Sequence, residues 1–139
     1  MDDKGKARIL IVDDERSNIA ALNRILKPTY STFVAVNGRT AVETAKQAAP
    51  DLILLDIIMP DMTGFEVLME LKREESLRKI PVIIITALDG PEEEEAGFLL
   101  GAADYITKPF DDYMVTEKVK THLINRRTGR PGDALEIAD

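Results

Sequence analysis

Four short runs of leucine and β-branched residues mark the chain, at Arg8 to Val12, Ser31 to Val36, Asp51 to Leu55 and Pro81 to Ile85, and a weaker fifth spans Asp104 to Thr107. Between them apolar positions recur at helical spacing. Ile19, Leu22, Ile25 and Leu26 share one face, as do Phe65, Leu68 and Leu71, and later Val115, Val119 and Leu123. The pattern is strand then helix, five times over. Breakers agree with it: Pro28 closes the first helix, Pro50 the second, Pro81 enters the fourth strand and Gly101 ends the fourth helix. Asp89-Gly90-Pro91 opens that fourth helix, and Glu92 to Glu95 in its first turn suit the positive end of the helix dipole by about 0.3–1 kcal/mol each at most.

The strand runs are apolar almost throughout instead of alternating, so both faces of the sheet must be covered. That predicts a parallel sheet with helices on either side, joined by right-handed crossovers. The expected fold is α/β, over a single domain at residues 7–126. Residues 127–139, which include TGRPGDALEIAD, read as a C-terminal tail or the start of a linker to an output domain.

Composition narrows the possibilities. A length of 139 residues suits one core, and the longest apolar run falls far short of the ~18 residues that span a bilayer. The opening MDDKGKARILIV lacks the apolar stretch and cleavage site of a secretory signal, so the expected location is cytoplasmic. The absence of cysteine removes disulfides, thiolate metal sites and thiol nucleophiles together. A net charge of -7 argues against a broad surface for nucleic-acid phosphates, and no direct nucleic-acid or membrane contact is expected. The basic cluster Arg126, Arg127 and Arg130 reads as a solvated helix end or tail. His122, in the last helix, reads as structural.

In open parallel sheets the ligand crevice lies beyond the carboxyl ends of the strands. The first strand ends in Asp13-Asp14, the third in Asp56, the fourth in Thr86-Ala87, and the fifth runs into Lys108-Pro109. Each has an ordinary reading alone: Asp13-Asp14 as a helix cap, Asp56 as the start of a turn, Thr86 as a strand residue, Lys108 as a surface lysine. Together they put three carboxylates, a hydroxyl and an ammonium on one edge. Two unit charges about 4 Å apart repel by about 4 kcal/mol at an effective dielectric of about 20, so the cluster calls for a cation. Oxygen ligands without histidine or cysteine favour Mg2+, with Mn2+ as the alternative. A carboxylate left over could take a phosphoryl group as an acyl phosphate, the ammonium and hydroxyl neutralising its oxygens.

These residues resemble the receiver domain of bacterial two-component response regulators. The likeness rests on ILIVDDE, LLDIIMPDMTG, VIIITA and DYITKPF, each in the expected element and order. It implies a flavodoxin-like, doubly wound five-stranded sheet of order 2-1-3-4-5 flanked by five helices. It also implies Asp56 as phosphoacceptor and Asp13, Asp14, Asp56 and the Ile58 main-chain carbonyl as metal ligands. Thr86 and Ala87 would bind the phosphoryl group, Thr86 and Tyr105 would act as switch residues, and Lys108 would contact phosphate across a cis Lys108-Pro109 bond. Tyr105 would turn inward when Thr86 moves toward the phosphoryl group, changing the face made by the fourth helix, fifth strand and fifth helix. The chain would not be an enzyme acting on external substrates. Its partners would be a sensor histidine kinase or phosphotransfer protein and an output domain or partner protein. GFLLGAADYITKPF followed by KVKTHLINRR is similar to receivers attached to cyclic-diguanylate enzymes, particularly phosphodiesterases.

Two departures carry expectations. Thr63 stands where the family often has Asp, and should be tolerated beyond the site. Ile58 and Leu88 are apolar beside the path of an attacking water, which implies slow self-hydrolysis of the acyl phosphate. Competing classes fit poorly. A haloacid-dehalogenase phosphatase would need D-x-D after the first strand, a topoisomerase-primase metal domain a Glu there, and a flavin module a glycine- and hydroxyl-rich loop, where this chain has Asp13-Asp14-Glu15.

Overall fold

The computed structural model describes residues 5–128. Strands β1 (Arg8–Val12), β2 (Ser31–Ala35), β3 (Leu52–Leu55), β4 (Val82–Thr86) and β5 (Asp104–Thr107) alternate with helices α1 (Arg16–Leu26), α2 (Gly38–Ala48), α3 (Gly64–Arg73), α4 (Pro91–Leu99) and α5 (Asp112–Thr128). All strand pairs are parallel, in the order β2-β1-β3-β4-β5. The expected architecture and order are both present among the described residues.

The apolar strands split their side chains between two layers, as a two-sided sheet requires. Leu10, Val12, Ile53, Leu55, Val82 and Ile84 pack with Ala41 and Ala45 of α2 and Val67, Leu68 and Leu71 of α3. Their alternates Ile9, Ile11, Leu52, Leu54, Ile83 and Ile85 pack with Leu22 and Leu26 of α1 and Val115, Val119 and Leu123 of α5. Truncating one of these fully buried leucines to alanine would cost about 2–5 kcal/mol.

Element ends follow local chemistry. β4 begins one residue later than expected and includes Thr86, because Pro81 has no N–H to give the ladder; its carbonyl still accepts from Ile53 N. Asp51 lies outside β3, its carboxylate accepting from Arg8 N at 2.8 Å and facing Arg126 at 3.6 Å. Val36 lies past the end of β2 and is exposed. Thr63 caps α3 in a reciprocal box with Glu66, which explains why a hydroxyl residue serves at that position. Gly90 caps α4, with Pro91 in its first turn.

α5 runs two residues past the expected domain boundary at 126. Residues 129–139 of the expected tail, including Arg130, lie outside the described residues. Arg126 is no free helix end: its guanidinium donates to Pro50 O at 3.2 Å. Phe98 and Leu99 of α4 and Tyr113 and Met114 of α5 are large apolar groups left exposed.

Candidate functional site

The carboxyl ends of four strands meet at one edge. Asp56 follows β3 directly, its amide donating to Val12 O at 2.9 Å, and Asp13 follows β1, its amide donating to Ala35 O at 3.1 Å. Main-chain pairing thus continues one residue past each strand and fixes where both side chains start. Lys108 is held likewise, its amide donating to Thr86 O at 2.8 Å, and its bond to Pro109 is cis.

The Lys108 ammonium lies 3.0 Å from Asp56 Oδ2, 3.1 Å from Asp13 Oδ2 and 3.8 Å from Glu15 Oε1. Asp13 and Asp56 are almost wholly buried, so the lysine supplies the countercharge that their burial demands. The remaining oxygens have partners as well. Asp13 Oδ1 accepts from Glu15 N at 2.9 Å, and Asp56 Oδ1 from Ile58 N at 3.1 Å. The Asp13 carboxyl is pushed above its ordinary value, chiefly by burial and against the Glu15 amide and Lys108. Burial alone would lower Lys108, but hydrogen bonds and charge from Asp56 and then Asp13 outweigh it and hold the ammonium above its ordinary value.

One carboxylate oxygen each from Asp13, Asp14 and Asp56 lie within 4.8 Å of one another. Two are buried, and one lysine cannot neutralise three. An all-oxygen set of this size fits a hard divalent cation. Gly64 lets the loop after Asp56 close tightly: a Cβ there would collide with the Asp56 carbonyl oxygen.

Thr86 is fully buried, and its hydroxyl accepts from Leu88 N at a long 3.5 Å. The Leu88 carbonyl in turn accepts from the Tyr105 hydroxyl at 2.6 Å, so Thr86, Leu88 and Tyr105 form one line. The Tyr105 phenol is raised to about 12 by burial, with Glu93, Glu94 and Asp89 nearby adding to it. The Tyr105 ring, expected to turn inward as Thr86 moves toward the phosphoryl group, is buried here. Ala87 and Ile58 are exposed and Leu88 is half-buried.

The sequence profile of the response regulator receiver domain matches residues 9–120. The chain belongs to that family. This receiver is 42% identical over 128 residues to a probable cyclic di-GMP phosphodiesterase of Vibrio cholerae serotype O1, covering 92% of this chain and 29% of that protein. It is 37% identical over 118 residues to protein PilH of Pseudomonas aeruginosa, covering 84% of this chain and 98% of that one. The CheY-like receiver domain protein of Methanospirillum hungatei has the same fold, with a TM-score of 0.83 at 27% identity over 89% of this receiver and 98% of that chain. The receiver therefore spans under a third of the first relative and nearly all of the second. As a receiver it is a signalling module of two-component systems. Among the described residues no helix is long and apolar enough to cross a membrane.

His122 lies away from this edge. It contacts Asp104 Oδ2 at 2.9 Å, while Lys118 Nζ reaches both Asp104 oxygens at 3.0 Å. The structural role expected for His122 takes the form of this contact, whereas neither Asp104 nor Lys118, one helical turn before His122, stands out in the sequence as its partner. Nor does Asp61, whose carboxylate accepts from Gly38 N and Arg39 N on another element.

Proposed function

We propose that Asp56 is the phosphoacceptor of this receiver. A carboxylate oxygen of Asp56 attacks the phosphorus of a phosphohistidine, the P–N bond breaks, and the departing imidazole keeps the electron pair and takes a proton. The carrying observation is the ammonium of Lys108 at 3.0 Å from Asp56 and 3.1 Å from Asp13, a fixed positive charge where phosphoryl oxygens would sit. Asp13, Asp14, Asp56 and the Ile58 carbonyl would hold magnesium, which when bound neutralises charge on the transferring group. Manganese would fit the same ligands. Asp13 and Lys108 beside Asp56 position the reaction, and later attack by water on phosphorus would return the Asp56 carboxylate and inorganic phosphate. The receiver thus assists its own phosphorylation and dephosphorylation and acts on no external substrate.

The switch begins with Thr86. Turning its hydroxyl to donate to a phosphoryl oxygen gives up the long contact with Leu88 N, and Leu88 carries the carbonyl that holds Tyr105. The Ala87 amide would bind the phosphoryl group from the same loop. The readout face is α4, β5 and α5, where Phe98, Leu99, Tyr113 and Met114 are exposed. A sensor histidine kinase or phosphotransfer protein supplies the phosphoryl group in the cytoplasm. The name of the Vibrio cholerae relative supports a cyclic di-GMP enzyme, joined to the receiver or separate, as the output.

Incubation with magnesium and acetyl phosphate, followed by intact mass, tests the centre of this reading. One added phosphoryl on the wild type and none on Asp56→Asn supports it; equal labelling of both would refute it.

A further inference from the structure

The loop from Asp56 to Thr63 is fastened to an element that the chemistry does not touch. Asp61 Oδ1 accepts from Gly38 N at 3.1 Å and Oδ2 accepts from Arg39 N at 2.8 Å, so both oxygens are used on the first turn of α2. Asn37 already caps that helix through Thr40 N, so Asp61 takes the amides that Asn37 leaves over. The next residue, Met62, fills the space beside Gly38, and α2 packs along α3. The Asp61 carboxyl sits below its ordinary value, with the Gly38 amide the largest cause.

Only Met59, which is buried, and Pro60, whose φ is fixed by its ring, separate this anchor from Ile58. On the other side Ile58 N is tied to Asp56 Oδ1 and Ile57 O to Gly64 N. The Ile58 carbonyl is therefore held from both directions, by Asp56 before it and by Asp61 after it. We propose that Asp61 is a positioning residue: by clamping the loop to the first turn of α2 it sets where the Ile58 carbonyl points and so how tightly the acidic edge holds a divalent cation. The proposal rests on the assignment of Ile58 as a cation ligand.

Linkage makes the coupling reciprocal. If the clamp aids cation binding, cation binding strengthens the clamp, and the amides of Gly38 and Arg39 become better protected although neither touches the ion. A residue that merely stabilised the fold would not transmit that change.

The test compares the wild type, Asp61→Ala and Asp61→Asn by magnesium titration calorimetry, with amide exchange at Gly38 and Arg39 with and without magnesium. Losing an outer partner that orients a ligand weakens metal binding by about tenfold or more, and that is the expected result for Asp61→Ala. Asp61→Asn keeps one acceptor oxygen and should recover part of the loss. Magnesium should slow exchange at Gly38 and Arg39 in the wild type, less in Asp61→Asn and not in Asp61→Ala. Equal magnesium affinity in the wild type and Asp61→Ala would overturn the proposal and leave the phosphoacceptor reading intact. A wild type that binds no magnesium would overturn both.

Discussion

Lys108 and Asp56 are 52 residues apart in the chain and 3.0 Å apart in space, and the same ammonium reaches Asp13. Two buried acids thus share one cation donated by the protein itself.

Removing it should be costly. Lys108→Ala leaves Asp13 and Asp56 facing each other without countercharge, and we expect a loss of about 3–5 kcal/mol at neutral pH by urea unfolding. The loss should shrink in acid. Folded Asp13 binds its proton at higher pH than the unfolded chain does, so the penalty for its charge is relieved as pH falls through its raised value and is gone below 3.8. Lys108 is raised above 10.5, so stability from its pairing is complete below that value and disappears as pH climbs through the folded one. A pH-independent loss would contradict this account.

Asp104 should behave in the opposite sense to Asp13. Hydrogen bonds from His122, then Lys118 and the Tyr105 amide, outweigh burial and hold its carboxyl below 3.8. Its contribution is therefore present above 3.8 and lost as pH falls through the lower folded value. Asp104→Asn should cost about 2 kcal/mol at neutral pH and progressively less in strong acid. Urea midpoints across that range would show it, and a gap between variant and wild type that widens toward acid would count against it.

Gly97 brings α4 down onto the sheet: a Cβ there would lie 2.7 Å from Ile84 Cδ1 and 3.6 Å from the Tyr105 ring. Gly97→Ala should cost about 1 kcal/mol net, overpacking outweighing the gain in helix propensity. Ile84→Val deletes the offending methyl. The double variant should be more stable than the two single losses predict, by about 0.5 kcal/mol or more, and strict additivity would mean that α4 yields elsewhere.

Ile58 and Leu88 offer no polar atom from their side chains to orient water at Asp56. The phosphorylated protein, made with acetyl phosphate, should lose its label slowly, with Ile58→Asn shortening the lifetime severalfold. Loss within seconds in the wild type, followed by intact mass, would show that water reaches phosphorus unaided.

Much of this was legible in the sequence, because a parallel sheet places strand ends together whatever lies between them. Asp13, Asp56, Thr86 and Lys108 each follow or finish an apolar run, so knowing the runs meant knowing the edge. Strand limits slipped by a residue where backbone donors decide, as at Pro81. What stayed hidden depends on which loops touch. Nothing in Met59-Pro60-Asp61 shows that this aspartate caps a helix 23 residues earlier, and nothing in Asp104 shows that α5 will lay Lys118 and His122 across it. The resting position of the Tyr105 ring is equally a matter of packing, set by the space beside Gly97 and the Leu88 carbonyl.

The exposed aromatic and aliphatic groups of α4 and α5 lie on helices, whereas Asp13, Asp56 and Lys108 each directly follow a strand end. The proposed chemistry and the helical part of the proposed readout face are thereby written in separate stretches of sequence. Mutation can redraw the outer skin, and with it the choice of conversational partner, while the reactive hub keeps the same tooling.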